Sequence, residues 1–480
     1  MKIVQHPRFI AAMRTSILNE RVDFDSETAI ARHITRHAGQ VAAQLGLSDT
    51  DIISTDGCLW QYSLMTGTWS QIEIDDIITL AQLFDGLLPE TGGGGDSKPR
   101  RIRTGHQRSV NIAKSALRLY EIQAHEFFAS PRRGIACTSG FVEVTSEGVE
   151  QYEHDSGNRA TVAYDFDLDT ESAPPEKWIG FLDTLWAGDA DRDAKIAVLQ
   201  EFVGASIANL ATQYQKCLLL LGAGSNGKSV LCELIAELLF PEGTATFISP
   251  RRWDRDYSVA GLGGASINIV SELPETSALE SADVFKAIIS GDKLEARLPY
   301  QPPHFIRPSA GHIFSANEIP RTSDTSHGFF RRFITMQFNH NFDESPTRRT
   351  KAEILADIEE ERAAIIVWAL RGASRLIERG GYTEIASHKE TMTSWQNESD
   401  VVCDFAHTCL EIGNGGETTF SDLFKEHEEF ALQSRRVPVS KITMGKRLKN
   451  IKGLTWKKTA AGKTYNCNIR LISERDQYAN

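Results

Sequence analysis

The sequence predicts an α/β protein with a sheet of apolar strands at its centre. Three observations lead to this class. An apolar run, Cys217–Leu221, feeds a glycine-rich turn and then a helical pattern over 230–240. Two more apolar strand patterns follow, SINIV at 266–270 and HIFSA at 312–316, and each is succeeded by polar residues. Amphipathic helical patterns flank this core on both sides, in KWIGFLDTLWAG and DAKIAVLQEFVGASIANL before it and ILADIEEERAAIIVWALRGASRLIERG after it.

The chain has 480 residues, too many for one ordinary core, so several domains are expected. No apolar run is long enough to cross a membrane, and MKIVQHPRFIAAMRTS lacks the apolar centre of a secretory signal. Seven cysteines lie scattered with no C-x-x-C pair, which suggests a reducing cytoplasm. Cys403, His407 and Cys409 are close enough to be weighed as metal ligands. Their setting, VVCDFAHTCLEI, reads instead as the apolar face of a helix. A net charge of −12 argues against a protein that coats DNA generally but leaves room for local basic surfaces.

From the start of the chain, residues 1–91 read as a mixed α and β domain. TAIARHITRHAGQVAAQLGL has helical periodicity, and CLWQYSLMTGTWSQIEI reads as a β-hairpin turning near Thr66-Gly67. Residues 92–104, with Gly92 to Gly95, form a linker that ends in a basic run (Lys98, Arg100, Arg101, Arg103). That run is either a nucleic-acid contact or a solvated face. Residues 105–204 are assigned as a helical connector, 205–345 as the core, 346–390 as a helical segment, and 391–480 as a separate module. TVAYDFDLDT alternates Asp165, Asp167 and Asp169, which on a strand would share one face and could hold metal. No companion cluster of carboxylates or cations accompanies it.

Gly222-Ala-Gly-Ser-Asn-Gly-Lys-Ser229 fits G-x-x-x-x-G-K-[ST] between a strand and a helix. Gly222, Gly224, Asn226 and Gly227 shape a turn whose N–H groups cradle phosphate, aided by the helix N-terminus. Lys228 is placed to reach the outer phosphates and Ser229 to bind Mg²⁺, so ATP and Mg²⁺ are the expected cofactors. Glu272, just past the INIV strand, suits the metal site and the activation of water. Asn317 after HIFSA suits a sensor of the terminal phosphate. Arg331 and Arg332 stand where paired arginines can complete a neighbour's site.

These motifs together resemble those of superfamily 3 helicases of the phage, plasmid and poxvirus primase–helicase type. GAGSNGKS is similar to that family's Walker A and INIVSE to its Walker B, with Ser271 where a classical Walker B carries Asp. FKAIISGDKLEAR resembles the B′ motif, HIFSANEIP motif C, and GFFRRF the arginine-finger segment. The likeness extends over about residues 130–475, including SGFVEV, Tyr152 and His154. The resemblance implies an AAA+-like core in a ring, most simply a homo-hexamer, encircling single-stranded or forked DNA and moving 3′ to 5′. It implies a pore hairpin carrying Lys293, Arg297, Tyr300 and Gln301. It also implies an ATP-dependent replicative helicase for phage, prophage or plasmid DNA, with a separate primase or loader as a further partner and no membrane. Residues 1–130 are too few for a fused primase with its connector.

Between Arg435 and Thr464 the chain carries ten Lys or Arg and no acid. SKITMGKRLKN reads as a short helix capped by Ser440, and TWKKTAAGKTYNCNIRLI as a hairpin turning at Gly462. A helix followed by a basic hairpin is the pattern of a winged-helix DNA-binding domain, with Lys441, Lys446, Arg447, Lys449, Lys457, Lys458 and Lys463 facing DNA. The resemblance implies the same module. Two rival functions remain: an origin-binding initiator that uses ATP only as a switch, and a small-molecule kinase with no use for trans arginines.

Overall fold

The computed structural model describes residues 26–471 apart from 45–50, 56, 87–100, 123–126, 274–281, 298–302, 321, 323, 344–348, 413–417, 435, 437, 450, 452–453, 455, 459–463 and 467–468. The Gly92–Gly95 linker therefore lies outside the described residues.

The N-terminal part contains α1 (Glu27–Gln44), a meander of β1 (Ile52–Thr55), β2 (Cys58–Ser63) and β3 (Thr68–Ile72), then α2 (Ile74–Gln82) and α3 (His106–Leu119). The expected hairpin is β2–β3, and Gly67 takes the left-handed conformation at its turn (φ 67°). Ile30, Ile34, Leu59, Ile77, Phe84, Ile112 and Ala116 form one apolar cluster. Residues 106–119 thus belong with the N-terminal domain, not with a connector of 105–204. The reason is the stripe Ile112, Ala113 and Ala116, which packs against the helices before the linker.

Next come β4 (Gly134–Cys137), β5 (Gly140–Val144) and β6 (Val149–Tyr152), a three-stranded antiparallel sheet that includes the expected SGFVEV pair. Helices α4 (Glu176–Leu185), α5 (Arg192–Ile207) and the short α6 (Ala211–Tyr214) lead into the core. The core holds β7 (Cys217–Leu221), α7 (Lys228–Leu239), β8 (Ala245–Thr246), α8 (Asp256–Ala260), β9 (Ile267–Val270), α9 (Ala282–Ser290), β10 (Leu294–Ala296), β11 (His304–Ile306), β12 (Gly311–Ala316), α10 (His327–Phe330) and β13 (Phe333–Gln337). Its sheet is parallel with order β13-β7-β12-β9-β8. Such a sheet is covered on both faces, which explains why CLLLL, INIV and GHIFSA are wholly buried.

Helices α11 (Lys351–Ile358) and α12 (Arg362–Arg379) follow, then α13 (Ala386–Ser399). One apolar cluster runs from Ile135 through the sheet to Ile385, so the expected boundaries at 204 and 345 do not divide cores. Helices α5 and α12 are clamped by Glu201. This fully buried carboxylate accepts from Arg375 Nε at 2.9 Å, Arg379 at 2.6 Å and Thr383 N at 2.8 Å. Among the described residues, no helix is long and apolar enough to cross a membrane.

The last part comprises α14 (Val401–Cys409), β14 (Leu410–Ile412), β15 (Thr418–Thr419), α15 (Phe420–Gln433), α16 (Lys441–Leu448), β16 (Trp456–Lys458), β17 (Thr464–Asn466) and β18 (Ile469–Leu471). It has its own cluster of Val402, Phe405, Leu423, Met444 and Leu448. Trp395 on α13 instead packs against Phe333 in the core, so this module starts near 400 and not at 391.

Candidate functional site

The turn from β7 into α7 is held in one shape by its own polar atoms. A Cβ on Gly222 would lie 2.3 Å from Asn226 Nδ2 and 2.4 Å from the Phe338 carbonyl oxygen, so only glycine fits. Ser225 (φ 59°) and Gly227 (φ 84°) are left-handed, which turns the chain toward the helix. For Ser225 this costs about 1–2 kcal/mol, and its carbonyl is secured by Phe342 N at 2.9 Å. Asn226 is 4% exposed and donates to the carbonyls of Ala223 and, at 3.2 Å, Phe338. Gly224 is open to solvent and no neighbour lies within 4 Å of a Cβ built there.

Lys228 is buried. Its ammonium donates to the Gly222 carbonyl and, at 2.9 Å, to Asn226 Oδ1. No carboxylate pairs with it among the described residues, and burial lowers its pKa. A desolvated cation without a counter-charge, at a helix N-terminus beside left-handed backbone, fits a polyphosphate. Ser229 is exposed in the first turn of α7, where its hydroxyl is free to take a metal-ligand role.

The sheet register brings the other expected residues to the same edge. Leu221 is level with Ala316, and Phe314 with Val270. Asn317 therefore follows directly on the central strand, and Glu272 sits one strand further out; both are exposed. Strand spacing puts the Glu272 backbone about 10 Å from that of β7, room for a terminal phosphate, a cation and a water. These residues fit Mg²⁺ with oxygen donors.

The two arginines separate. Arg332 is 8% exposed and points inward, donating to the Gly328 carbonyl and to Ser290 Oγ at 2.8 Å. Arg331 is exposed and donates to Gln215 Oε1 at 2.6 Å. The pair expected to act together is thus split: the Arg332 guanidinium is engaged within the chain, whereas Arg331 is exposed.

Two features were not expected from the sequence. A cavity of about 430 Å³ opens beside the loop, lined by Trp186, Asp189, Lys195, Gln337, His340 and Ser387, among others. Lys195, wholly buried, bonds Asp189 at 2.6 Å and the Gln337 carbonyl at 2.9 Å. The cavity adjoins the loop through Leu185, whose Cδ2 is 2.5 Å from where a Cβ on Gly227 would be. Its walls come from three distant segments, which linear spacing does not reveal. The second feature is aromatic. Phe305 on β11 is 62% exposed and Tyr257 on α8 54% exposed.

The expected hairpin is β10–β11. Lys293 and Arg297 are exposed, and Lys293 Nζ lies over the Phe305 ring at 5.0 Å. Arg297 N donates to the Asp256 carbonyl at 3.4 Å, joining the hairpin to α8. Tyr300 and Gln301 lie outside the described residues.

In the C-terminal module Ser440 caps α16 by accepting from Thr443 N at 3.2 Å. Lys441, Lys446 and Lys449 are exposed. Arg447 does not face outward as expected: its guanidinium bonds Asp400 Oδ1 (2.9 Å) and Thr325 Oγ1 (3.0 Å). Lys457 and Lys458 fall on β16, but their side chains, like Lys463 and Gly462, lie outside the described residues. Cys403 and Cys409 line a helix as expected, and among the described residues no cluster of His, Cys, Asp or Glu could hold a metal. Asp165, Asp167 and Asp169 lie on no strand. Asp167 accepts from Thr138 and Asp169 from Glu171 N, so the alternation does not build a metal face.

Residues 220–332 match the model of a family of unknown function, DUF5906. No curated protein matches. Among solved structures, two apo structures of the NrS-1 C-terminal region align over 65% of this chain and 80% of theirs at 15% identity, with TM-scores of 0.39 and 0.42. A third aligns at 14% identity with a TM-score of 0.37.

Proposed function

We propose that the chain is an ATP-driven DNA motor, a replicative helicase that works as a ring of identical subunits. The observation that carries this reading is Lys228, a buried ammonium without a carboxylate at the edge of the sheet where Glu272 and Asn317 also end. In this reading the Gly222–Ser229 backbone and Lys228 hold the phosphates of ATP, and Ser229 and Glu272 hold Mg²⁺, which supplies charge neutralisation. Glu272 accepts the proton of the attacking water while Asn317 orients it. Arg331 reaches the phosphates of a neighbouring subunit. The nucleoside occupies the cavity beside the loop.

Lys293, Arg297, Phe305 and Tyr257 would grip a single strand, cations on phosphate and rings on bases. The C-terminal module supports a winged-helix reading. In its favour, the β16–β17 hairpin follows α15 and α16 in the chain and pairs with β15, the order of elements expected where one helix enters a groove and the wing meets the backbone.

The test is strand displacement on a forked substrate with ATP, comparing wild type with Lys228→Ala and Arg331→Ala. Unwinding by wild type alone, and ATPase restored on mixing the two inactive variants, supports the motor and the trans arginine. ATP hydrolysis and DNA binding without displacement by wild type sinks the motor reading. It would favour the second reading, an ATP-switched initiator, for which the contact of Arg447 with the core is the specific observation.

A further inference from the structure

The basic run at the end of the linker does not stop there. From Arg101 to Arg118 the chain has five Lys or Arg (Arg101, Arg103, Arg108, Lys114, Arg118) and no acid, in a protein with twelve more acids than bases. Four of these five residues are exposed and the fifth, Arg108, is half-buried. Ile102 and Thr104 are buried between exposed Arg101 and Arg103, so both arginines face outward from an extended segment. On α3 the buried face is Ser109, Ile112, Ala113 and Ala116. The opposite face presents Gln107, Asn111, Lys114 and Arg118, at the spacing of one helical stripe. Arg108 donates to the Arg103 backbone carbonyl at 3.2 Å, tying the start of α3 to the extended segment. Lys114 and Arg118 have no ion-pair partner among the described residues. They border a cavity of about 310 Å³ whose opposite wall is Ser54, Thr55 and Gly57 at the β1–β2 turn.

We infer that this face is a DNA-backbone contact, separate from the hairpin and from the C-terminal module. Like charges held side by side at the surface repel, and a polyanion relieves that cost by displacing counter-ions. The amides of Gln107 and Asn111 (3.4 Å apart) add donors of the kind that position phosphates. An acidic protein partner fits less well. No exposed large apolar residue lies on this stretch, whereas protein interfaces depend on buried apolar and aromatic anchors. Among the described residues, two carboxylates bound the site: Asp85, which accepts from Thr104 N at 2.9 Å, and Glu121 in the cavity wall. The helix is about 21 Å long, enough to follow several phosphates of one strand.

The inference does not require the motor to turn over, so it is tested without ATP on the full chain. Labelled single-stranded and duplex oligonucleotides are titrated across a salt series with wild type and with Lys114→Gln/Arg118→Gln. A matched variant, Lys446→Gln/Lys449→Gln, reports the C-terminal module. The expected result is about tenfold weaker binding with a salt slope lower by about two, on the single strand, the duplex or both, which identifies the form held. Photocross-linking of wild type to halogenated oligonucleotides should label peptides within 101–118, a readout that needs no variant. Unchanged affinity and slope together with labelling confined to the hairpin and the C-terminal module would overturn the inference and leave the face to an acidic protein. Because no step depends on ATP, failure of strand displacement leaves this result standing, and the reverse also holds.

Discussion

Arg447 on α16 reaches Thr325 of the core, its guanidinium 3.0 Å from the threonine hydroxyl, while another of its nitrogens bonds Asp400 at 2.9 Å. Thr325 immediately precedes Ser326, the cap of α10, which leads into Arg331 and Arg332. A basic helix thus has one cation turned toward the core and three, Lys441, Lys446 and Lys449, turned to solvent. Arg447→Ala should therefore cost about 1–2 kcal/mol, read as a lower denaturation midpoint, and leave the salt slope of DNA binding unchanged. Lys446→Ala should do the opposite, lowering the slope by about one with no change in the midpoint. Equal slopes lost in both variants would return Arg447 to the DNA face.

The divided arginines make a second contrast. Arg332→Ala strips Gly328 and Ser290 of a buried donor and should lower stability by about 1–3 kcal/mol. Arg331→Ala removes an exposed group bonded to Gln215, so its melting curve should match wild type. Its ATPase should fall by about 10³-fold or more if it acts across subunits. An ATPase unaffected by Arg331→Ala would end that role.

Much of the core was legible because its signals are local. The apolar run Cys217–Leu221, the glycines after it and the lysine at the helix start lie within twelve residues, and the structure has the expected strand and helix there. The hairpins at 58–72 and 294–306 were legible for the same reason. What stayed hidden depends on three-dimensional direction. Adjacent Arg331 and Arg332 look alike in sequence, yet one is exposed beside Gln215 and the other buried beside Ser290. The aspartates at 165, 167 and 169 alternate like a strand face, but apart from a single bridge at Ala163 to Ala136 the segment has no strand partner. The cavity at Trp186, Gln337 and Ser387 joins residues 201 positions apart (387 − 186).

Asn226 offers a test of the loop itself. Its amide serves Ala223, Phe338 and Lys228 together. Asn226→Ala leaves the Phe338 carbonyl and the lysine short of partners, a loss of about 1–3 kcal/mol. A thermal melt should show it, and titration with a fluorescent ATP analogue should show weaker binding. Gly222→Ala, which forces a carbon into the space of Asn226 and Phe338, should abolish binding; retained affinity would show that the loop is looser than its contacts imply.

Buried histidines set the acid limit. His312 on β12 is 1% exposed, and burial pushes its pKa down to about 3; His388, which accepts from Thr335 N at 3.1 Å, is pushed down to about 4. Both are neutral in the folded chain and charge more readily when it unfolds, so the unfolded state takes up protons as pH falls below about 6.5. Stability is then fully present above that pH and declines below it, by up to about 1.4 kcal/mol per pH unit for fully buried His312. Urea unfolding at pH 7.5 and 5.0 should show the loss, and His312→Asn should flatten it.

The exposed rings carry the last prediction. A folded core has little reason to leave Phe305 and Tyr257 largely in water, with a lysine over one of them. If they stack on bases, Phe305→Ala and Tyr257→Ala should each cost about 1–3 kcal/mol in single-strand affinity. The effect should vary little with sequence, because every base offers a ring face. Neither change removes a cation, so the salt slope should stay constant while the affinity falls. Removing two solvent-exposed rings should also leave the melting curve intact or raise it slightly. A melt that drops instead, with affinity unchanged, would assign the rings to packing against another subunit.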